Sequence, residues 1–488
     1  MKKLKLSTII LGTVLLTASC TKNLTDLNNN PKKPEAVVAP TLFANAQLEL
    51  TNSLTSTDVN LNIFRLITQQ WTQTTYTDES NYDITTRNIP QNWWHSLYRD
   101  VLKDLDEAKK IVTADGSLEA GVKQNQLAQI EIVTVYAYSI LVNTFGNIPY
   151  TEAMNIDDLS PVYDDASTIY LDLLDRLDAA IANLDPASPG FGSSERLYEA
   201  NPLPGKAGDI ASWQKFANSL KIKMAMVIAD VNTARAKTAV EQAAPNAFTS
   251  SDDDAIFAYS TIPPNTNPIW VDLVQSGRLD YVAANTMIDK MTSLNDPRTK
   301  FYYNEAPEEA GGGYKGGTYG ASSNYYSFSS AGDLLRRKDF SSVWIDYTEV
   351  EFLLAEAVER GFAVGGSAEQ HYNNAITASI ISWGGTPAEA AAYLAGNGVT
   401  YASAGATWQE KIGVQKWLAL YNRGFEAWTE WRRLDFPKLE APENAVSVIP
   451  QRLTYPVSEQ NLNGINYDKA SGDIGGDLVD TKLFWDEN

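Results

Sequence analysis

The residues most able to do chemistry in this chain are aromatic rings set in irregular, polar sequence. Trp71, Tyr76 and Tyr82 lie in the run QQWTQTTYTDESNYD, together with Asn81. Trp270 follows the string PPNTNP, which contains Asn267. Tyr314, Tyr319, Tyr325 and Tyr326 sit in a Gly/Ser-rich stretch. A Tyr or Trp ring offers a flat apolar face and a hydrogen-bonding edge, which suits half-wet contact with a sugar or a peptide. Covering one sugar face, on the order of 60 Å² at ~25 cal/mol/Å², contributes roughly 1.5 kcal/mol. Two or three such platforms with hydrogen bonds give millimolar to micromolar binding after the entropic cost of association. Polar partners of the right type stand nearby in sequence: Asn81, Asp83, Arg87, Asn267, Asp272 and Arg278. The ligand-binding candidates are therefore Trp71, Tyr76, Asn81, Tyr82, Asn267, Trp270, Tyr319, Tyr325 and Tyr326.

Other chemistries find less support. The two histidines, His95 and His371, are far apart, so neither an HExxH motif nor a poly-His metal site is present. His95 reads as a structural or surface residue. Asp252-Asp253-Asp254 lacks the spacing of an EF-hand loop and reads as a solvated acidic turn, with calcium as the alternative. The glycines between Gly311 and Gly317 lack a following GK[ST], so no phosphate loop is indicated. Arg336-Arg337-Lys338 and Arg432-Arg433 read as partners for carboxylates such as Glu356 or Glu426. No metal or cofactor is expected. With 39 Lys and Arg against 60 Asp and Glu, the net charge is −21, which argues against nucleic acid. Among 60 acids a glycoside-hydrolase carboxylate pair has room, so a secreted hydrolase stays open as an alternative.

These residues need elements to position them. Lys2, Lys3 and Lys5 precede an apolar stretch from Leu6 to Thr17 that is too short to span a bilayer. Ala18 and Ser19 then lead to Cys20, the sole cysteine. This is the pattern of a bacterial lipoprotein signal peptide over residues 1–19, with Cys20 as the lipidated residue. Thr17 stands where the usual lipobox has Leu, and plain secretion is the competing reading. Residues 20–40, with Asn28-Asn29-Asn30-Pro31, read as a tether.

Helical periodicity begins near Thr41. Trp94, Leu97, Val101, Leu105, Ala108 and Val112 define one helix face. Leu127 to Val142 is apolar almost all round and predicts a central buried helix. Asp165 to Leu184 predicts another, and Asp209 or Ser212 would cap a fourth with Trp213, Phe216 and Leu220 on its face. Residues 246–342 lose the period and predict short strands and long loops, with a short helix near Asn285 to Ser293. Helices return at Ile345 to Arg360, Ala368 to Ile381 and Gln409 to Leu434. The last carries Trp417, Tyr421, Phe425, Trp428 and Trp431 on one side, a core stripe. The fold class is mainly α: tetratricopeptide-like helix pairs as a scaffold (about 41–245 and 343–440), an irregular loop-rich lobe with few short strands (about 246–342) and C-terminal loops (441–488). Residues 41–488 read as a single domain.

Several strings, in this order behind a lipoprotein signal, resemble the SusD/RagB family of nutrient-binding outer-membrane lipoproteins of Bacteroidetes. They are NNNP at 28–31, TFGNIPY at 144–150 followed by Glu152-Ala153, WQKFANSLKIKMAM at 213–226, NDPR at 295–298, YTEVEFLLAEAVERG at 347–361 and QKWLALYNRGFEAWTEWRRLDFP at 415–437. The closest resemblance is to the SusD-like branch and covers essentially the whole mature chain. It implies a cell-surface protein that is not an enzyme. Such a protein captures oligosaccharides, or peptides in the RagB case, and hands them to a SusC-like TonB-dependent transporter. A structural adaptor that binds only protein is the third reading.

Overall fold

The computed structural model describes residues 37–198 and 210–488. Cys20, the leader, nearly all of the tether and Asp209 lie outside the described residues.

The first helix is Ala39–Thr55. The apolar stripe of Trp94 to Val112 is buried along its length. Its backbone is not uniform: Ile89–His95 and Lys103–Ala114 are α-helical, and Ser96–Leu102 between them is a wider π-helical segment. Ala120–Phe145 is the central helix, buried on nearly all sides from Asn125 onward. It has the length and hydropathy to cross a bilayer, yet it is packed inside the protein, as a core helix with apolar residues all round should be. Asp165 caps Ala166–Asn183, its carboxylate accepting from the Thr168 amide at 2.8 Å. Ile210–Val227 follows with Ser212 inside the helix, so Ser212 is not its cap.

Successive helices pack as pairs: Ala120–Phe145 with Ala166–Asn183, Ile210–Val227 with Thr233–Ala243, and Tyr347–Glu359 with Ala368–Ser382. This is the tetratricopeptide-like scaffold that the periodicity and resemblance implied. The predicted Gln409 to Leu434 helix is instead a fourth pair, Trp408–Ala419 and Gly424–Leu434. The break has a local cause. Asn422 adopts φ 67, its amide donates to Gln70 Oε1 at 3.0 Å, and its side chain accepts from Arg65 at 2.8 Å. A Cβ at Gly424 would lie 2.5 Å from the Arg65 backbone nitrogen, so only glycine lets the two chains approach. The five aromatics are buried despite the break.

A buried ionic network ties the pairs together. Arg433 bridges Glu356 at 2.5 Å and Glu430 at 2.8 Å, and Lys416 joins Glu430 at 2.8 Å. Lys223 meets Glu349 at 3.1 Å and Glu426 at 3.4 Å. Arg432 departs from the carboxylate expectation. Its guanidinium lies 3.5 Å from the Trp428 ring centre and donates to the carbonyls of Gln451 and Asn143 at 2.7 and 2.9 Å. Burial pushes its pKa down to about 9. In the NDPR string, Arg298 is fully buried, gripping Asp296 at 2.6 Å and reaching Ser379 at 3.0 Å.

The lobe is built as expected from short pieces, and its helix is Asn285–Ser293. Three two-stranded antiparallel ribbons occur among the described residues. β1 (Trp71–Gln73) pairs with β5 (Tyr281–Ala283), β2 (Ile148–Pro149) with β3 (Tyr163–Asp164), and β4 (Ala255–Phe257) with β6 (Ser342–Ile345). β1 and β6 belong to scaffold sequence, so the first and third ribbons stitch the lobe to the helices. Residues 441–488 are not only loops: they contain the helices Val457–Leu462 and Gly464–Asp473. Leu462 and Ile465 point to solvent, so these helices carry no apolar stripe for periodicity to reveal. Ala39–Asn488 forms one compact unit.

Candidate functional site

The β1/β5 ribbon positions the site. Gln73 stands opposite Tyr281 in its register, and beyond them the Thr74 amide donates to the Asp280 carbonyl at 2.8 Å. Two loops therefore leave the ribbon side by side. One carries Thr75 and Tyr76, the other Ser276, Arg278 and Asp280, and they enclose a cleft of about 170 Å³. Tyr76 is 74% exposed. Its φ of 52 puts a bulky residue in the left-handed region, a costly conformation for anything but glycine, Asn or Asp.

Polar groups along the cleft are already held. Arg87 is paired with the buried Glu79, which also accepts from Gln73 at 2.6 Å. Arg278 is paired with Asp280 at 2.6 Å. Asp272 accepts from the Thr57 hydroxyl at 2.8 Å, and Tyr281 donates to the Thr57 carbonyl at 2.7 Å. Across Asp58, Asn60 and Asp272 the cleft continues into a wider trough of about 520 Å³, reaching Glu49, Asn92, His95, Arg99 and Asp100.

Two π-helical segments flank this groove. Ser96–Leu102 supplies Arg99 and Asp100. Val271–Gln275 supplies Asp272, and the Ser276 amide reaches back five residues to the Val271 carbonyl at 3.0 Å. Such widened turns gather at functional sites because they displace a side chain from the regular helical spacing. Burial, then the Asp58 charge, raises the Asp272 carboxyl above its usual range. Burial with Asp100 and Asp104 does the same to Glu49. Burial and Arg99 lower His95. The groove is thus an excess of carboxylates and amides beside one displayed ring. It can accept and donate hydrogen bonds to hydroxyl groups while a flat apolar face rests on Tyr76.

Of the sequence candidates, the structure brings together Tyr76, Arg87, Asp272 and Arg278. Tyr325 and Tyr326 form an edge-to-face pair at 5.5 Å, with Tyr326 63% exposed, on a loop tied to the first by the Ser323 amide donating to the Thr74 carbonyl at 2.9 Å. Trp270 is half-buried beneath the Lys338 ammonium, 4.7 Å from the ring centre. The remaining candidates are corrected, because their surfaces are consumed inside the protein. Trp71 is buried, donates to Tyr421 at 3.0 Å and lies under Arg65. Tyr82 is buried against Tyr319, whose hydroxyl donates to the Leu66 carbonyl at 2.6 Å. Asn81 donates to the Thr77 and Gly320 carbonyls, both at 2.8 Å. Asn267 caps a helical turn and donates to the Phe340 carbonyl at 2.6 Å. Asp253 of the acidic triplet is spent on Lys215 at 2.9 Å.

The trough residues Asn92, His95 and Arg99 were not singled out in the sequence as a site. Their spacings of 3 and 4 place polar groups on one face of the helix that carries the Trp94 stripe, and that was the available signal.

Residues 30–456 match the SusD-like family, described as starch-binding and associating with the outer membrane. The chain belongs to the SusD-like family. Its structure is similar to that of a chitin-binding protein, with a TM-score of 0.78 and 24% identity over 92% of this chain and 100% of the other. A chitin-binding SusD homologue from Flavobacterium johnsoniae superposes with a TM-score of 0.76 and 25% identity, covering 92% and 98%. A SusD homologue from Bacteroides thetaiotaomicron gives 0.75 and 22%, covering 93% and 100%. At such identities these likenesses establish the SusD-like fold. No curated protein matches the sequence.

Proposed function

We propose that this SusD-like protein is a lipid-anchored binding protein of the outer-membrane surface. It holds nutrient oligosaccharides in the groove beside Tyr76 and delivers them, unaltered, to a SusC-like TonB-dependent transporter. Membership of the family supports the location and the partner, and two chitin-binding proteins of similar structure support a glycan as cargo. The observation that carries the reading is Tyr76 itself. A ring held three-quarters exposed on strained backbone, over a cleft lined by Arg87, Arg278 and Asp272, gains nothing for folding and everything for contact. The groove's carboxylates Glu49, Asp58, Asp100, Asp272 and Asp280 outnumber Arg87, Arg99 and Arg278, so it favours neutral glycans over uronate-rich or sulfated ones.

The test is calorimetric titration of the purified protein with chito-oligosaccharides, malto-oligosaccharides, a polyuronate and an oligopeptide mixture, followed by a reducing-end assay. Saturable binding of a neutral glycan with no new reducing ends supports the reading. Binding of peptide alone moves the protein to peptide capture, and release of reducing ends makes it a hydrolase.

A further inference from the structure

The loop that joins β2 to β3 and the two helices Val457–Leu462 and Gly464–Asp473 form one surface. Asn463 donates to the Pro161 carbonyl and Asn466 to the Ser160 carbonyl, both at 2.8 Å, and the Tyr163 hydroxyl donates to Glu459 at 2.8 Å. Aliphatic side chains flank these bonds: Leu159 precedes Ser160, Leu462 precedes Asn463 and Ile465 precedes Asn466. The three are 86, 77 and 88% exposed, and Ile156, further along the loop, is 81% exposed. Single exposed aliphatics are ordinary, but a cluster of them fixed by hydrogen bonds marks a surface that another surface covers.

The charge around the cluster is of one sign. Residues 146–175 and 453–468 contain no Lys or Arg. Asp157 and Asp468 are exposed. Asp158 accepts from the Ser160 amide at 2.9 Å and Glu459 from Tyr163, neutral donors that leave both charges standing. Lys469, beside Asp468, is spent on Asp473 at 2.7 Å. These facts sort three kinds of cover. Segments that lie on a lipid surface are rich in Lys and Arg, which these two lack. A second copy would set the carboxylates against one another. A protein face of aliphatic side chains ringed by Lys and Arg complements both the apolar and the charged part.

The surface also borders the groove. His95 lines the trough, and the neighbouring Trp94 ring lies 6.1 Å from the ring of Tyr163, the same tyrosine that holds Glu459.

We propose that this patch is the docking face for a protein partner whose aliphatic side chains are ringed by Lys and Arg. The inference rests on the function proposed above, in which that partner is the transporter. A partner seated here lies beside the His95 end of the trough, so cargo leaving at that end is next to it.

The test is recovery of the SusC-like transporter from detergent-solubilised outer membranes by a tag on the full-length chain, in low and in high salt. The unaltered chain should recover the transporter, with less recovered as salt rises. Leu159→Asp and Ile465→Asp should each lower recovery at least about tenfold, and Asp157→Lys combined with Asp468→Lys about fivefold. All four positions are exposed, so each variant should melt within about 1 °C of the unaltered chain. Tyr76→Ala should recover the transporter in full. Full recovery by Leu159→Asp and Ile465→Asp overturns the docking face and leaves the partner in place, whereas no recovery by the unaltered chain overturns both. Light scattering that finds a dimer which Leu159→Asp dissolves assigns the patch to a second copy and overturns the proposal. Flotation of the Cys20→Ala chain with phosphatidylethanolamine–phosphatidylglycerol vesicles, abolished by Leu159→Asp, assigns it to lipid and does the same.

Discussion

Replacing Tyr76 by Ala tests the groove most directly. Among the described residues the ring has no hydrogen-bond partner, and it is 74% exposed, so folding loses little when it goes. A ligand loses an apolar platform. Covering on the order of 60 Å² at ~25 cal/mol/Å² contributes about 1.5 kcal/mol, a roughly tenfold weaker Kd. Exposed substitutions of this kind change stability by less than about 0.5 kcal/mol, which for a chain this long moves the melt by under about 1 °C. Ala keeps a Cβ at φ 52, so the backbone strain stays, whereas Tyr76→Gly removes it. The glycine variant should therefore bind as poorly as the alanine variant but resist urea better than it. Calorimetric titration with the tightest oligosaccharide found, paired with urea unfolding of the three proteins, reads both quantities. An affinity change under about twofold would refute the platform, since it falls far short of the tenfold expected. A glycine variant weaker in urea than the alanine variant would refute the strain argument.

Trp71→Ala should behave in the opposite way, costing about 3–5 kcal/mol of stability because the ring is buried and hydrogen-bonded to Tyr421; scanning calorimetry would show a clear drop in Tm. Burial alone would raise the Glu430 carboxyl, but Arg433 and Lys416 outweigh it and hold it down to about 2. Its folded pKa lies below the unfolded value of 4.5, so the stability it contributes is present above pH 4.5 and is lost as the pH falls toward 2. Urea unfolding across that window should show the decline, and Glu430→Gln should flatten it. Cys20→Ala should move the protein from the membrane fraction to the soluble fraction of cells; retention in the membrane would contradict the lipid anchor.

Much of the scaffold was legible because helical burial writes a repeating signal. The Trp94 stripe, the all-round apolar helix over Leu127 to Val142 and the amphipathic helix from Asp165 to Leu184 each follow from residue spacing. Where the signal misled, a long-range contact was responsible. Periodicity runs unbroken from Gln409 to Leu434, but Arg65 and Gln70, far away in sequence, hold Asn422 in a turn. The site was legible only in part. Trp71 and Tyr76 stand five residues apart in one polar run, and nothing local says that one ring faces Tyr421 and the other faces solvent. Which ring is buried is decided by β5, which pairs Trp71 with Ala283 from the other side of the chain.

The order of residues along the chain was enough to determine a helix-rich body, a loop-rich insertion and the family to which these belong. Hydrophobic spacing and local capping act over a few residues, and a linear reading captures them. The groove itself was decided by tertiary structure. It assembles loops and helix segments roughly two hundred residues apart, and the exposure of a ring depends on which distant backbone closes over it.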